Sequence, residues 1–97
     1  MAVVINSFFT GQCGRERKFT DDMIGGGMID KIRAQKGCRR YEYFVPMYGG
    51  GLIMLVEKWN DRASYDAFIA SELYGEVREI MARYDLTMNV ELYDTGD

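Results

Sequence analysis

The sequence predicts an α+β fold in which the elements follow the order β-α-β-β-α-β. Three observations predict it. Two apolar runs in the middle of the chain flank a glycine-rich connection, which is typical of a β-hairpin. A stretch with apolar residues at helical spacing lies on each side of this hairpin, and β-branched or alternating runs lie near both ends of the chain. This order is the ferredoxin-like arrangement, with one four-stranded sheet.

The central hairpin is predicted at residues 38–59. Its first strand covers residues 39–47, and Pro46 places that strand at a sheet edge or beside a bulge, because proline cannot donate to a ladder. The glycines at 49–51 supply the positive φ angles of the connection. The second strand, Leu52–Trp59, begins with five apolar residues in a row, so it needs cover on both faces.

The N-terminal part predicts a strand followed by a helix. Residues 2–10 are β-branched and aromatic and indicate a strand that is apolar on nearly both faces. Residues 11–18 are predicted to be a polar loop, and Thr20 is predicted to cap the helix. The apolar residues of this helix recur every four positions, and Gly37 closes it. They are Ile24, Met28 and Ile32.

Three consecutive glycines, at 25–27, interrupt the helical pattern. Each costs about 1 kcal/mol relative to alanine in a helix interior. They indicate either a kinked or locally broken helix, or a close approach of the backbone to the sheet or to a ligand. Close packing is the favoured interpretation.

The C-terminal part predicts two short helices and a strand. Asp61 is predicted to cap the first helix, which carries Tyr65, Phe68 and Ile69 on one side, and Ser71 is predicted to cap the second. The second helix has an apolar stripe formed by Leu73, Val77, Ile80, Met81 and Tyr84. Residues 86–93 alternate between apolar and polar side chains and predict the last strand.

Composition excludes several classes of protein. A net charge of -3 and a pI near 4.9 do not suit nucleic-acid binding. No apolar run reaches the roughly 18 residues of a membrane span, and no signal-peptide pattern is present, so we expect a single cytoplasmic domain over residues 1–97. The chain has no histidine, and Cys13 and Cys38 lack CxxC spacing. We therefore expect no zinc site. In the predicted topology the two cysteines lie at distant ends of parallel strands, so we also expect two free thiols.

Two helical regions cover only one face of such a sheet. Because the first and third strands are apolar on both faces, the second face needs a partner, and a second copy of the chain is the simplest one. The sequence therefore predicts a homodimer that pairs its sheet faces.

The sequence also resembles the antibiotic biosynthesis monooxygenase family. The resemblance lies in three segments, AQKGCRRYEYF at 34–44, LVEKWNDRASYDAF at 55–68 and LTMNVELY at 86–93. It implies a dimeric α/β barrel and a small-molecule pocket between sheet and helices. The family includes cofactor-free oxygenases of quinols and anthrones as well as haem-degrading enzymes. Haem ligation or general-base catalysis by histidine is excluded here, because the chain has no histidine.

The resemblance implies a set of site residues. Asn6 and Trp59 are the catalytic candidates and share one pocket; Asn6 donates a hydrogen bond to a substrate oxygen, and the Trp59 indole does the same while its ring stacks. The substrate-binding candidates are Tyr43, Glu57, Tyr65 and Phe68. A tyrosine, Glu57 or a water molecule accepts the substrate proton.

Each candidate also has a structural interpretation. Trp59 is an anchor of the core or of the dimer interface, Asn6 satisfies buried backbone groups, and Glu57 occupies a solvent or interface position.

Two functions remain open. One is a cofactor-free monooxygenase that acts on a quinol-like or polyketide-like aromatic compound. The other is a non-catalytic dimeric barrel that binds a hydrophobic small molecule in a stress or regulatory role.

Overall fold

The computed structural model describes residues 1–48 and 50–96, which form one antiparallel sheet covered by helices on one face. The predicted order β-α-β-β-α-β and the ferredoxin-like fold are confirmed, with each helical region split into two helices. The strands are β1 (Val3–Thr10), β2 (Cys38–Phe44), β3 (Leu52–Trp59) and β4 (Thr87–Asp94). The helices are α1 (Arg15–Gly25), α2 (Met28–Arg33), α3 (Arg62–Ile69) and α4 (Glu72–Ala82), with a 3-10 turn at Gln12–Gly14.

The strand order β2-β3-β1-β4 puts β3 and β1 in the centre of the sheet and β2 at an edge, as Pro46 indicated. The first hairpin strand is shorter than predicted, because β2 ends at Phe44 and carries a bulge near its start instead of its end. Gly51 has the expected positive φ of 81°. Gly49, the first glycine of the predicted turn, lies outside the described residues.

The two helices after the hairpin begin where their caps were predicted. The Asp61 carboxylate accepts a hydrogen bond from the backbone N–H of Ser64 at 2.8 Å, and α3 begins at the next residue. The Ser71 hydroxyl accepts one from the N–H of Tyr74 at 3.2 Å, and α4 begins at Glu72. Each cap satisfies a backbone donor that a helix start otherwise leaves unpaired.

The start of the first helix was predicted wrongly. Helix α1 begins at Arg15, inside the segment predicted as a loop, and follows Gly14 in the left-handed conformation. Thr20 therefore lies in the middle of α1, where it is buried and its hydroxyl donates to the carbonyl of Arg17 at 2.9 Å. The buried stripe of α1 includes the polar residue Glu16, and this concealed the first turn in the sequence.

The favoured interpretation of the triple glycine was also wrong, and the alternative of a broken helix is confirmed. The chain leaves α1 at Gly26 and takes a positive φ of 75° at Gly27, just before α2 begins. A Cβ atom added at Gly25 or Gly27 would meet nothing within 4 Å, so these glycines do not permit a close approach. Within α1 the core contact is made by Met23, while Ile24, which was predicted to be part of the apolar stripe, is 60% exposed.

Gly37 does not close the helix, since α2 already ends at Arg33. It lies in the turn before β2 with a φ of 87°, and a Cβ added there would lie 2.4 Å from the Ser64 hydroxyl. Glycine is therefore required both by the backbone conformation and by contact with the start of α3.

The two faces of the sheet differ in their cover. On the face that carries the helices, alternate residues of both central strands are buried: Val3, Ile5, Ser7 and Phe9 of β1, and Ile53, Leu55, Glu57 and Trp59 of β3. Their neighbours on the other face are half-buried; these are Val4, Asn6, Phe8, Leu52, Met54, Val56 and Lys58. We call the first the covered face and the second the open face.

The two cysteines are free and lie at opposite ends of the parallel strands β1 and β2. Cys38 pairs across the sheet with Trp59, which in turn faces Val3 at the start of β1. Cys13 follows the other end of β1, beyond Thr10. This is the placement that the topology predicted.

Candidate functional site

A carboxylate is buried on the covered face of the central strand β3. Glu57 is only 5% exposed, and its Oε1 accepts a hydrogen bond from the indole Nε1 of Trp59 at 3.2 Å. The two residues are two positions apart on one strand, so their side chains project from the same face. Strand β3 therefore brings a potential proton acceptor and an aromatic donor together.

Aromatic side chains surround this pair. Phe68 of α3 stacks on Trp59, with ring centroids 5.0 Å apart and 22° between the planes. Tyr65, one helical turn earlier, lies 6.3 Å from Trp59. Tyr41 of β2 and Tyr74 of α4 contact Phe68 edge-on, at 6.5 and 5.3 Å. The Asp61 and Ser71 caps set the starts of the two helices and so fix which residues lie over Trp59.

Burial controls the acid–base properties of the site. Loss of solvent raises the pKa of Glu57 from 4.5 to about 7, although the hydrogen bond from Trp59 opposes this shift. Burial, together with the nearby Glu57 charge, raises the pKa of Tyr65 to about 12. The pKa values of Tyr41 and Tyr43 are raised as well, chiefly by burial. Glu57 is therefore the group of this cluster that exchanges a proton near neutral pH.

Tyr43 extends the cluster along β2. Its ring is edge-on to Tyr41 at 6.0 Å and to Phe19 of α1 at 6.5 Å. Its hydroxyl is buried and interacts with the side chain of Tyr41, but no residue of 1–48 and 50–96 makes a hydrogen bond of good geometry with it. A hydroxyl has one donor and two acceptor sites, so this contact leaves Tyr43 with capacity for a further partner.

A groove of about 420 Å³ runs beside this tyrosine, between α2 and the edge strand β2. Arg33 crosses from α2 to β2 there, and its guanidinium donates two hydrogen bonds, of 3.1 and 2.9 Å, to the carbonyl of Tyr41. The lining residues are Ile24, Ile29, Asp30, Arg33, Tyr41, Glu42 and Tyr43. The groove gives the outer side of the aromatic cluster a contact with solvent.

Four of the predicted site residues lie together on the covered face, and Tyr43 lies beside them. The prediction that Asn6 shares their pocket is wrong. Asn6 faces Val56 across the sheet, whereas Trp59 faces Val3, so the parity of the register puts Asn6 and Trp59 on opposite faces. Asn6 is half-buried on the open face.

Two members of the cluster were missed in the sequence, Tyr41 and Tyr74. Tyr41 lies two positions before Tyr43 on β2, so the period of a strand could have found it. Tyr74 lies between Leu73 and Val77 in α4. The apolar stripe of this helix does not show which aromatic residue beside it also contacts the cluster.

The cluster is closed in the single chain. Trp59 has no solvent exposure, and Phe68 is 3% exposed. Any molecule that reaches Glu57 must therefore displace an aromatic ring, since Phe68 stacks on Trp59.

The family model of the antibiotic biosynthesis monooxygenases matches residues 1–80, which include the whole Glu57 cluster. The chain belongs to this family. The match ends inside α4, so β4 lies beyond it. No curated protein matches the sequence significantly.

Solved structures show the same fold. SnoaB, a cofactor-independent oxygenase from Streptomyces nogalater, has a TM-score of 0.81 at 12% identity, with 99% of this chain and 94% of that chain covered. Rv0793 from Mycobacterium tuberculosis has a TM-score of 0.83 at 21% identity, with coverages of 100% and 97%. SO0527 from Shewanella oneidensis has a TM-score of 0.79 at 24% identity, with coverages of 95% and 88%. At these identities the likeness concerns the fold.

The described residues contain no group of three or more histidine, cysteine, aspartate or glutamate side chains suited to a metal ion. No helix in this part of the chain has the length and apolar character needed to cross a bilayer.

Proposed function

We propose that the protein is a cofactor-independent monooxygenase that oxidises a quinol-like or polyketide-like aromatic compound, with Glu57 as the general base. The observation that carries the proposal is the buried Glu57 carboxylate, whose pKa of about 7 suits proton exchange near neutral pH. Membership of the monooxygenase family and the fold shared with a cofactor-independent oxygenase support the same reaction class.

In the proposed reaction, Glu57 removes a proton from an acidic C–H or O–H of the substrate. The resulting carbanion or phenolate transfers one electron to dioxygen, and the two radicals combine to form a C–O bond. A peroxide intermediate accepts a proton, and its O–O bond breaks as the second C–H proton leaves. For an anthrone-type CH₂ group the sum is CH₂ + O₂ → C=O + H₂O, so no external reductant is required.

The other residues bind and orient the substrate. Trp59 donates to Glu57 and keeps this carboxylate directed at the ligand, so it acts as a positioning residue as well as a stacking surface. The hydroxyl of Tyr43 donates a hydrogen bond to the oxygen on which negative charge develops. Phe68 and Tyr65 shift from Trp59 to admit the ring and then exclude water from it.

The proposal includes a homodimer through the open face. Val4, Phe8, Met54 and Val56 form a half-buried apolar surface there, without helices over it. A second sheet packed on this surface would remove it from water and complete a dimeric α/β barrel. Asn6 then lies in the interface, not in the substrate pocket.

One observation favours the second candidate function, a barrel that binds a hydrophobic molecule without oxidising it. The chain has no histidine, which is the side chain used most often as a general base. The two functions share a ligand class and differ in oxygen consumption.

Oxygen uptake separates them. Wild-type protein, treated with a chelator, is supplied with a panel of anthrones and hydroquinones in an oxygen electrode. We expect enzyme-dependent uptake of one O₂ per substrate, with kcat/KM rising through about pH 7 as Glu57 loses its proton. Saturable quenching of Trp59 fluorescence by the same compounds without oxygen uptake would contradict the enzyme and support the binding protein.

A further inference from the structure

A second buried carboxylate lies on the covered face, near the other end of β3. Glu16, in the first turn of α1, is 5% exposed. Its Oε2 is wholly buried and has no hydrogen-bond partner in the part of the chain that the structure describes. A buried acceptor without a donor destabilises a fold, so an unpaired oxygen of this kind has capacity for a donor from a bound molecule.

The neighbouring cations do not serve this carboxylate. Arg15 pairs with Asp85 at 3.6 Å, and Arg17 is directed along the helix to Asp21 at 3.8 Å. Glu16 has no ion pair with any residue of 1–48 and 50–96. A buried carboxylate is stabilised by a cation with good hydrogen-bond geometry, and none of the described side chains supplies one to Glu16.

Glu16 forms part of the wall of a groove of about 200 Å³ between the start of α1 and residues 45–46 and 50–53. Apart from Arg17, the other lining residues are apolar or glycine: Val45, Pro46, Gly50, Gly51, Leu52 and Ile53. Since liquid water occupies about 30 Å³ per molecule, the groove has room for a short alkyl chain. The terminal torsion of a glutamate is broad, so a small rotation turns either oxygen toward the groove.

We infer that this groove is a binding site for a small organic cation, namely a primary ammonium on a short aliphatic stem. The ammonium donates a charge-assisted hydrogen bond to Glu16, and the stem packs against Val45, Pro46 and Ile53. A metal ion suits the site less well, because it needs several ligands and Glu16 belongs to no group of three or more acidic, histidine or cysteine side chains among the described residues. This site is independent of the proposed oxidation at Glu57.

The test is an NMR titration of the isotope-labelled full chain with n-butylammonium chloride, with sodium chloride at the same concentration as the reference. We expect saturable shifts at Glu16, Gly51, Leu52 and Ile53. Glu16→Gln should weaken binding at least about tenfold, through loss of the ion pair. Glu72→Gln is the matched control, because Glu72 is also in the first turn of a helix but is exposed. The affinity of this variant for n-butylammonium should equal that of the wild type.

Butan-1-ol has the same stem without the charge and should bind wild-type protein at least about tenfold more weakly. This comparison uses the wild-type chain, so it decides the question even where Glu16→Gln does not fold. Equal affinity for the alcohol and the ammonium, unchanged affinity in folded Glu16→Gln, or shifts confined to surface carboxylates such as Glu76 and Glu79 would each overturn the inference. So would the absence of saturable shifts.

Discussion

The two faces of the sheet are built from the same two central strands and have opposite chemistry. On the covered face, the alternate residues of β3 end in Glu57 and Trp59, both buried under aromatic rings from α3. On the open face, the intervening residues include Val56 and Lys58, both half-buried. A strand alternates between two environments, so one residue of register decides whether a polar side chain is buried under the helices or lies on the open face.

This difference assigns separate tasks to the two faces. The covered face has little solvent, and that is why the pKa of Glu57 rises to about 7. The open face has an apolar surface without helices and carries Asn6. In our proposal the first face holds the substrate and the second holds the partner subunit.

The largest effect is expected for Trp59→Ala on the covered face. Trp59 has no solvent exposure and stacks on Phe68, so its removal leaves a cavity that costs about 3–5 kcal/mol in the free energy of unfolding. Urea denaturation measures this loss. Lys58→Ala, one residue earlier on the open face, is the control and should change stability by less than about 1 kcal/mol. Equal losses would remove the distinction between the faces.

Stability should fall as the pH rises from about 4.5 to above 7. The folded-state pKa of Glu57 lies above its ordinary value of 4.5, so the native protein keeps a proton that the unfolded chain has already released. Its contribution is complete below about pH 4.5 and is lost through about pH 7, a change on the order of 3 kcal/mol for this shift. Urea titrations of wild type and Glu57→Gln at several pH values isolate the contribution of Glu57 to the free energy of unfolding. If this free energy changes with pH in the same way in both proteins, Glu57 is not desolvated.

A charge on the open face should separate the proposed dimer. Val56→Asp places a carboxylate in the middle of the apolar surface and should raise the dimer Kd by at least about 100-fold, since an unpaired charge would be buried. Sedimentation velocity at micromolar concentration measures the change. Ala67→Asp, on the exposed side of α3, adds the same charge and should leave the dimer intact. A wild-type monomer under these conditions would refute the dimer.

A smaller effect is expected at the cap of α4, which holds Tyr74 and Val77 over the covered face. Ser71→Ala removes the acceptor of the Tyr74 N–H and should cost about 1 kcal/mol. Glu79→Ala, an exposed change in the same helix, should stay within about 0.5 kcal/mol. Thermal unfolding measures both variants, and equal values would show that the cap contributes nothing to the stability of α4.

The sequence predicted the fold well because its main signals are local. Asp61 and Ser71 cap helices through hydrogen bonds to residues three positions later, and a strand period keeps Glu57 and Trp59 on one face. The start of α1 was missed because it has no side-chain cap and because its buried stripe begins with Glu16.

The site was predicted only in part because it also depends on non-local register. Asn6 lies on β1, and both central strands are apolar on both faces. The pattern within each strand therefore does not tell which residues of β1 share a face with Trp59. The pairing of Asn6 with Val56 decides it, and this pairing arises only when the sheet forms.

The measurement that tests the central claim most directly is kcat/KM for oxygen uptake in two variants, one on each face. Glu57→Gln keeps the size of the side chain and removes the base, so kcat/KM should fall by about 10²–10⁴-fold. Asn6→Ala, on the open face, should stay within about threefold of the wild type. A large loss in Asn6→Ala together with near wild-type activity in Glu57→Gln would contradict the account and move the reaction to the other face of the sheet.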